Sequence, residues 1–320
     1  MDGLLMRALV VHNHGADPRV EEGWPEPKRG EGQALVEMGA AGLNPVDLAI
    51  ASGRFYGYRP DPPFVAGREG MGRVVEGTEL APGTRVQTLK AAGSMAERFV
   101  ADEADLWVLP DGDDDIAAAA SGIAGVAGWY AVQTGELQRT DRVLVLGASG
   151  TVGLVAVQAA RLLGASRIVA AGRDRSRLAR AGELGADAVV ELGDGDLEET
   201  FRGAFPDGGP ELVIDPLWGS PALAAMNIAG DGMRLVNLGQ AAGAEVALPS
   251  ATVRGKRLRI IGHTVFSIPL DELAAAHAEL LGHVRDGSLQ LDVETTPLAE
   301  APAAWERQKA GPHTKLVVTR

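Results

Sequence analysis

The sequence predicts an α/β protein in which a doubly wound parallel sheet is inserted into a β-rich domain. Strands and helices alternate through the middle of the chain, from about residue 142 to residue 261, as they do in parallel sheets. The first third instead contains short apolar or alternating runs separated by turn clusters. The tail after Pro269 mixes a long helix with short strands. We therefore expect the first domain to be split by the second and completed by the tail.

The first third of the chain predicts short strands. They are Leu5–Val11, Gln33–Met38, Arg73–Glu76, Arg85–Thr88 and Ala96–Ala101. Turn clusters such as Asp61-Pro62-Pro63 and Pro82-Gly83-Thr84 separate them, because proline and glycine interrupt regular structure. From Ile116 the pattern becomes helical and rich in alanine, which predicts the approach to the second domain.

The middle of the chain predicts a βαβ succession. Its strands are Val143–Leu146, Ile168–Ala171, Ala188–Glu191, Leu212–Asp215, Arg234–Leu238 and Arg259–Ile261, with helices at 151–163, 175–183 and 221–228. A helix at Asp271–Arg285 and a last strand at Lys315–Val318 follow. We assign residues 1–118 and 253–320 to the β-rich domain and residues 119–252 to the parallel-sheet domain.

Composition and charge narrow the classes of function. The chain has 320 residues, of which 46% are hydrophobic, and this is enough for one large domain or two ordinary ones with a sizeable core. A net charge of -13 argues against nucleic acid as a partner, because binding phosphates requires concentrated Lys and Arg. The absence of cysteine excludes disulfides, Cys nucleophiles and Cys-ligated zinc. No leader pattern or bilayer-length apolar run is evident, so we expect a cytoplasmic protein with no membrane partner.

A glycine-rich turn after the first strand of the parallel sheet indicates a dinucleotide site. The turn reads Gly147-Ala148-Ser149-Gly150-Thr151-Val152-Gly153. Gly150 lets the backbone approach a pyrophosphate, and Gly153 lets the helix pack tightly on the strand. The backbone N–H groups of Thr151 and Val152 open the helix, where its dipole favours an anion, and Ser149 lies beside them. The alternative is a tight turn that binds nothing, but a strand on each side makes the signal specific.

The end of the second parallel strand predicts which coenzyme fits. An NAD site usually has an acidic residue there, whereas this strand ends in Gly172 and Arg173. Arg173, Arg175 and Arg177 place positive charge nearby, and the planar guanidinium suits a phosphate. We therefore predict NADPH, with Arg173 as the first phosphate ligand and Arg177 as the second. The alternative is a solvated arginine face partly neutralised by Asp174.

Several motifs, taken in order, resemble those of the medium-chain dehydrogenase/reductase superfamily, and within it the zinc-independent quinone oxidoreductases that include zeta-crystallin. They are A-G-L-N-P-V-D at 41–47, P-F-V-A-G-R-E-G-M-G-R-V-V at 63–75, P-G-T-R-V at 82–86, L-P-D-G at 109–112, G-A-S-G-T-V-G at 147–153, V-I-D-P at 213–216 and H-T-K-L-V-V at 313–318. Their order and spacing carry the resemblance over nearly the whole chain. It implies a Rossmann NADPH-binding domain inserted into a GroES-like substrate domain, a cleft between them, and a homodimer.

The resemblance also implies hydride transfer from NADPH to a small-molecule quinone or α,β-unsaturated carbonyl compound. Zinc-dependent relatives take metal ligands from a Cys and from a Gly-His-Glu motif. Here Gly67-Arg68-Glu69 replaces that motif and no Cys exists, so we expect no metal. A conjugated acceptor spreads the developing negative charge onto oxygen. The protein then has to hold the reactants, exclude water and offer that oxygen a hydrogen bond.

Three polar residues are candidates for this hydrogen bond or for a proton. The resemblance places Asn44 near the nicotinamide, Tyr56 lies in the following loop, and His263 follows the strand Arg259–Ile261. Their structural alternatives are a turn residue, a surface aromatic and a satisfied buried histidine. After the strand Arg234–Leu238, Leu238 and Gly239 should border the nicotinamide through backbone groups, and His263 should lie close to it as well.

Departures from the family pattern leave the substrate open. Positions that often carry tyrosine in the family hold Ala49 and Phe55 here, and Ala127 replaces a threonine that often touches the coenzyme. Two alternatives to a quinone or enone reductase therefore stand. One is a reductase of a biosynthetic ketone or enoyl intermediate. The other is a nucleotide-binding protein with little turnover.

Overall fold

The computed structural model describes residues 4–320, which form two compact units. The first runs to Ala124 and includes Ile268–Leu281 and Leu291–Arg320; the second comprises Gly125–Ser267 and Gly282–Gln290. The division falls at different residues from the predicted 118/119 and 252/253. The predicted second domain stops too early, because the strand Arg259–Gly262 pairs within its sheet.

The strands of the described chain follow in order. They are β1 (Leu5–Val11), β2 (Arg19–Pro25), β3 (Gln33–Leu43), β4 (Phe64–Val65), β5 (Gly70–Glu76), β6 (Arg85–Thr88), β7 (Arg98–Asp102), β8 (Trp107–Val108), β9 (Arg142–Leu146), β10 (Arg167–Gly172), β11 (Ala188–Glu191), β12 (Leu212–Asp215), β13 (Arg234–Asn237), β14 (Arg259–Gly262), β15 (Val293–Pro297) and β16 (Lys315–Thr319).

The helices occupy the intervals between these strands. They are α1 (Pro45–Ala51), α2 (Asp115–Ala120), α3 (Ala127–Thr134), α4 (Thr151–Leu162), α5 (Arg175–Glu183), α6 (Leu197–Ala204), α7 (Gly219–Ile228), α8 (Ser250–Gly255), α9 (Leu270–Asp286) and α10 (Ala301–Ala310).

The first unit is the predicted β-rich domain. One of its sheets has the strand order β2-β1-β4, and the larger one has the order β15-β16-β3-β5-β6-β8, with β7 also paired to β3. The long strand β3 is central, since β5, β7 and β16 all pair with it. Its buried residues pack with Phe99, Trp305 and other apolar side chains in one core. The tail therefore completes the first domain through β16, as the sequence predicts.

The second unit contains a six-stranded parallel sheet with the order β11-β10-β9-β12-β13-β14. This is the doubly wound order of a Rossmann domain, and it confirms the predicted fold class. The central strands β9, β10 and β12 are almost wholly buried, as expected of a sheet covered by helices on both faces. The strand order reverses between β9 and β12, so a ligand is expected beyond the carboxyl ends of these strands.

One segment, Asp115–Thr134, is long and apolar enough to meet simple criteria for a membrane-crossing helix. It consists of α2, a π-type turn at Ser121–Val126 kinked at Gly122, and α3. About 72% of its apolar window is buried inside the protein, as is typical of a helix in a protein core.

Candidate functional site

The turn between β9 and α4 leaves the N-terminus of α4 without a side-chain cap. Gly150 is the N-terminal cap of α4, and because no side chain caps this end, the first backbone N–H groups of the helix are left to a ligand. A Cβ at Gly150 would have no heavy atom nearer than 3.7 Å, so its surroundings are open. A Cβ at Gly153 would lie 2.6 Å from the Cα of Ala148, so glycine is required there for packing. Gly153 therefore allows the close packing of the helix, and the surroundings of Gly150 are open; the binding of a pyrophosphate at this turn stays a prediction.

The ends of β10 and β11 form the neighbouring part of this edge. Gly172 ends β10, and a Cβ there would approach the Ser149 Oγ to 3.0 Å, so the small residue leaves room for Ser149. Arg173 is exposed and Arg177 is partly buried in the first turn of α5. Sequence reasoning missed Glu191, which lies opposite Gly172 in the β10–β11 register. The Glu191 carboxylate is bound by Arg175 at 2.7 Å, so its charge is matched by an arginine other than the two predicted phosphate ligands.

The ends of β12 and β13 are tied together by a buried carboxylate that sequence reasoning also missed. The Oδ1 of Asp215 accepts hydrogen bonds from the backbone N–H groups of Leu217 (2.9 Å) and Trp218 (2.8 Å). Its Oδ2 accepts one from the Asn237 Nδ2 at 3.0 Å. Burial raises the pKa of Asp215 above its ordinary value.

These bonds fix the backbone that follows β13. The Asn237 Nδ2 also donates to the Gly239 carbonyl at 2.9 Å, and the Leu238 N–H donates to the Asp215 carbonyl at 2.8 Å. A Cβ at Gly239 would lie 2.8 Å from the Pro216 carbonyl oxygen, so glycine is required at this close approach. Leu238 and Gly239 thus lie at the carboxyl edge of the sheet, where a dinucleotide is expected.

His263 lies directly after β14 at the same edge. Its backbone N–H donates to the Asn237 carbonyl at 2.9 Å, and its ring stacks on Tyr130 with 5.8 Å between the centroids. The Nδ1 is 3.3 Å from the Thr134 Oγ1, while the buried Nε2 has no hydrogen-bond partner among residues 4–320. Burial lowers the pKa of His263 to about 4, so the imidazole is neutral near pH 7. It can therefore bind a ligand through Nε2, but it is not a cation there.

In the first unit, Asn44 is buried and bonded to protein groups. Its Nδ2 donates to the Gly42 carbonyl (3.1 Å) and to the Glu69 Oε2 (2.7 Å), and its Oδ1 accepts from the Lys315 Nζ at 2.7 Å. Because an ammonium only donates, this contact fixes the orientation of the amide. Both N–H donors of Asn44 are thus committed, and this geometry does not support Asn44 as a hydrogen-bond donor to a substrate.

Asn44 belongs to a buried polar group that we call the Asn44 cluster: Asn44, Asp47, Glu69 and Lys315. The Lys315 Nζ is 2.9 Å from the Glu69 Oε2, and the two side chains are only 2% and 0% exposed. Asp47 accepts from the backbone N–H groups of Asn44 (2.8 Å) and Arg68 (3.0 Å). Burial raises the pKa of Asp47 to about 7. Of this cluster the sequence indicated only Asn44 as a site residue.

The remaining predicted residue, Tyr56, lies on the surface. Its side chain is 88% exposed, and its ring packs against Phe55 with 5.0 Å between the centroids. This environment fits a surface aromatic residue, the structural alternative to a catalytic role for Tyr56.

Gly67-Arg68-Glu69 lies between β4 and β5. The Arg68 Nη1 donates to the carbonyl groups of Lys90 and Ala91, both at 3.0 Å. No group of three or more His, Cys, Asp or Glu side chains within residues 4–320 is arranged to hold a metal ion.

Two family models match the chain. The alcohol dehydrogenase GroES-like domain matches residues 30–111, and the domain described as zinc-binding dehydrogenase matches residues 151–281. Among solved structures, the quinone oxidoreductase of Thermus thermophilus is 28% identical, with a TM-score of 0.80 over 98% of this chain and all of that one. A quinone oxidoreductase of Pseudomonas syringae pv. Tomato is 23% identical with a TM-score of 0.88, over 99% of this chain and 100% of that one, and it shows the shared fold.

Two kinds of curated protein are similar in sequence. Polyketide synthase GfsB of Streptomyces halstedii is 32% identical over 90% of this chain, but the chain spans only 5% of that much longer protein. Quinone oxidoreductase-like protein 2 of Bos taurus is 28% identical over 76% of this chain and 70% of its own length. With a GroES-like unit, a Rossmann unit and these relatives, the chain belongs to the medium-chain dehydrogenase/reductase superfamily and to its quinone oxidoreductase-like members.

Proposed function

We propose that this oxidoreductase uses NADPH to reduce a quinone or an α,β-unsaturated carbonyl compound without zinc. The observation that carries the proposal is the carboxyl edge of the Rossmann sheet. There the uncapped start of α4 adjoins a strand end that has Gly172 and Arg173 in place of an acidic residue. Such an edge suits a dinucleotide with an additional phosphate.

The residues along this edge would each hold one part of NADPH. The N–H groups of Thr151 and Val152, with Ser149, would bind the pyrophosphate, while Arg173 and Arg177 would bind the 2′-phosphate. Leu238, Gly239 and the neutral His263 would border the nicotinamide. The similar Thermus thermophilus enzyme was solved in complex with NADPH, which supports this coenzyme.

The chemistry that NADPH supplies when bound is a hydride. The protein has to hold the acceptor in line with it, exclude water and stabilise the charge that develops on the acceptor oxygen. The Nε2 of His263 is a buried hydrogen-bonding atom without a protein partner among residues 4–320, so it would orient the nicotinamide amide or the acceptor. We propose that zinc takes no part, because the family's Gly-His-Glu is Gly67-Arg68-Glu69 and the chain lacks cysteine.

A second candidate function is the reduction of an enoyl intermediate in biosynthesis. It is favoured by the similarity to Polyketide synthase GfsB and to Mycoketide-CoA synthase of Mycobacterium tuberculosis, which is 30% identical over 90% of this chain. Both candidates share the conjugated carbonyl group and differ in what the acceptor is attached to. A nucleotide-binding protein with little turnover is the third possibility.

Steady-state oxidation of NADPH by a panel of acceptors separates these functions. The panel contains a benzoquinone, a naphthoquinone, a simple enone and a crotonyl thioester of N-acetylcysteamine. We expect turnover with at least one quinone or enone, whereas a strong preference for the thioester would favour the biosynthetic role. Tight NADPH binding without oxidation by any acceptor would contradict both enzymatic proposals and leave the binding protein.

We also propose a cytoplasmic homodimer. Strand β14 lies at the edge of the parallel sheet, and its Ile260 is 43% exposed, so an apolar strand edge is available for pairing. Light scattering of the purified protein tests this, with Ile260→Lys expected to weaken the dimer. A monomer at micromolar concentration would contradict the proposal.

A further inference from the structure

Arg68 is a partly buried cation without a carboxylate partner among the described residues. The more deeply buried cations Lys315, Arg85 and Arg234 are each paired with a carboxylate, from Glu69, Asp115 and Asp141 respectively. No carboxylate of residues 4–320 lies within ion-pair distance of the Arg68 guanidinium. Burial lowers the pKa of Arg68, and Tyr58 opposes this effect most, followed by the more distant Asp47 and Asp105. An arginine nevertheless stays protonated in a protein, so an unpaired charge remains in a poorly solvated place.

Protein groups contact one Nη atom and the face of the Arg68 guanidinium, but not its Nε. Its Nη1 donates to the carbonyl groups of Lys90 and Ala91, and the ring of Tyr58 lies 4.1 Å from its Cζ. The buried Nε has no hydrogen-bond partner in the described part of the chain. A buried donor of this kind is costly unless a ligand or water accepts its hydrogen bond. The side chain is thus pre-positioned, and part of its donor capacity is unused.

Arg68 also lines a small cavity in the first unit. Asp47, Ile50, Tyr58 and Phe64 line it with Arg68. Its volume is about 10 Å³, which is room for about one water-sized group, such as a single oxygen atom of a ligand. Asp47 is the acidic residue in this lining, and its carboxylate is already bound by two backbone N–H groups. The cation, the ring and the small volume together suit one electron-rich oxygen.

We propose that Arg68, with Tyr58 packed on its guanidinium, binds the carbonyl oxygen of the acceptor and stabilises the negative charge that develops there. This inference rests on the proposed reductase function and names the oxygen-binding part of its substrate site. A guanidinium gives charge-assisted hydrogen bonds, which strengthen as the oxygen becomes an anion. Arg68 would then contribute in this reductase the charge stabilisation that zinc-dependent relatives obtain from their metal.

The reaction balances without any further reagent. Hydride from NADPH forms a C–H bond at the β-carbon of an enone, the C=C π electrons shift toward the carbonyl group, and its oxygen becomes an enolate oxygen beside Arg68. A solvent proton then bonds to the α-carbon, so the acceptor gains two electrons and two hydrogens while NADPH becomes NADP⁺. With a quinone, the hydride bonds to a ring carbon and the charge again falls on an oxygen, which takes up a solvent proton. The ring carbon then loses a proton and the second oxygen gains one, so the hydroquinone forms with a net uptake of one hydride and one proton.

The binding test uses para-nitrophenol, whose phenolate resembles an enolate oxygen and is visible by its absorbance. The protein is saturated with NADP⁺, and the phenol is titrated with pH in its presence. We expect wild-type protein to lower the pKa of the bound phenol by about one unit, because a nearby cation favours the anion. Arg68→Met should abolish this shift, and Arg68→Lys should retain part of it. The control Arg73→Met removes an exposed arginine whose Nη1 also donates to a carbonyl group, that of Gly83, and should leave the shift unchanged.

The kinetic test uses the same variants. Arg68→Met should lower kcat/KM for the acceptor about a hundredfold, with the KM for NADPH unchanged. Tyr58→Phe, which keeps the ring on the guanidinium, should have a smaller effect. Thermal unfolding shows whether each variant is folded; if Arg68→Met is not, Arg68→Lys and Tyr58→Phe carry the test.

The outcomes distinguish this inference from the proposed function. A phenolate shift that depends on Arg68, in a protein that reduces no acceptor, would support the oxygen site and overturn the reductase. An active reductase whose folded Arg68 variants keep wild-type kcat/KM and the wild-type phenolate shift would overturn the oxygen site alone. Wild-type protein that produces no shift in the phenol would overturn it as well.

Discussion

The carboxyl edge of the Rossmann sheet and the Asn44 cluster of the first unit treat polar groups in opposite ways. At the sheet edge, the first N–H groups of α4 lack a side-chain cap, and the His263 Nε2 lacks a partner within the described chain. In the Asn44 cluster, the amide of Asn44 and the ammonium of Lys315 are bound by other protein groups. The first region therefore offers hydrogen-bonding groups to a ligand. In the second, the Glu69 Oε1 is the one buried side-chain polar atom without a partner among the described residues, so the cluster is mainly structural. Arg68 is adjacent in sequence to Glu69 of the cluster. Like the cluster it is at least partly buried, and like the sheet edge it has a buried polar atom, the Nε, without a hydrogen-bond partner in the described chain.

Breaking the buried Lys315–Glu69 ion pair should have the largest effect, a loss of unfolding free energy. Lys315→Met leaves the Glu69 carboxylate buried without its counter-ion, which should cost about 3–5 kcal/mol of unfolding free energy. Urea denaturation measures the loss, and adding Glu69→Gln should restore much of it. The control is Arg175→Met, which breaks an exposed ion pair and should change stability far less. A loss no greater than that of the control would show that the cluster is not the structural core described here.

The raised pKa of Asp47 should make the unfolding free energy of the protein depend on pH. Its folded pKa of about 7 lies above the ordinary value of 3.8, so the protonated form is favoured by folding. The contribution of Asp47 to stability is therefore complete below about pH 4 and is lost as the pH rises to about 7. The slope due to this one group is at most about 1.4 kcal/mol per pH unit. Asp47→Asn should remove it, as measured by unfolding free energies between about pH 4 and pH 8. Parallel curves for wild type and variant would contradict the raised pKa.

At the sheet edge, Arg173 tests the choice of coenzyme. Arg173→Ala should raise the KM for NADPH by at least about tenfold, corresponding to roughly 1.5–3 kcal/mol for a charge-assisted contact, and should hardly change the KM for NADH. Arg177→Ala should act in the same direction. Arg180→Ala is the control, since that arginine lies on the same helix and binds Glu183 and Gln290. Equal changes for both coenzymes would remove Arg173 from the phosphate site.

Removal of metal ions by a chelator should have the smallest effect on activity. Because the proposed charge stabilisation comes from Arg68, exhaustive dialysis against a chelator should leave kcat and KM unchanged. Activity that disappears and returns on addition of zinc would refute the metal-free proposal and, with it, the role given to Arg68.

Features that depend on neighbouring residues could be predicted from the sequence, whereas those that depend on distant partners could not. The predicted helix at 175–183 matches α5, which Asp174 caps through the N–H groups of the second and third residues after it. Glu191 could not be foreseen as a neighbour of Gly172, because only the register of β10 and β11 brings the two together. Asn44 was identified from its motif, but its bonds come from Glu69 and from Lys315, which is 271 positions away. The role of Asn44 thus depends on partners that are distant in the sequence, and these could not be predicted from its motif.

The position of Lys315 on β16 has a consequence for synthesis of the protein on the ribosome. Glu69 and Asn44 emerge early, and the whole parallel sheet of the Rossmann unit is translated before the lysine that neutralises Glu69. Until then the carboxylate must stay hydrated, so the nascent first unit cannot close its interior, whereas the inserted unit already has the strands of its sheet. The order of translation therefore favours a chain that forms its Rossmann unit first and completes the other unit when β16 is added.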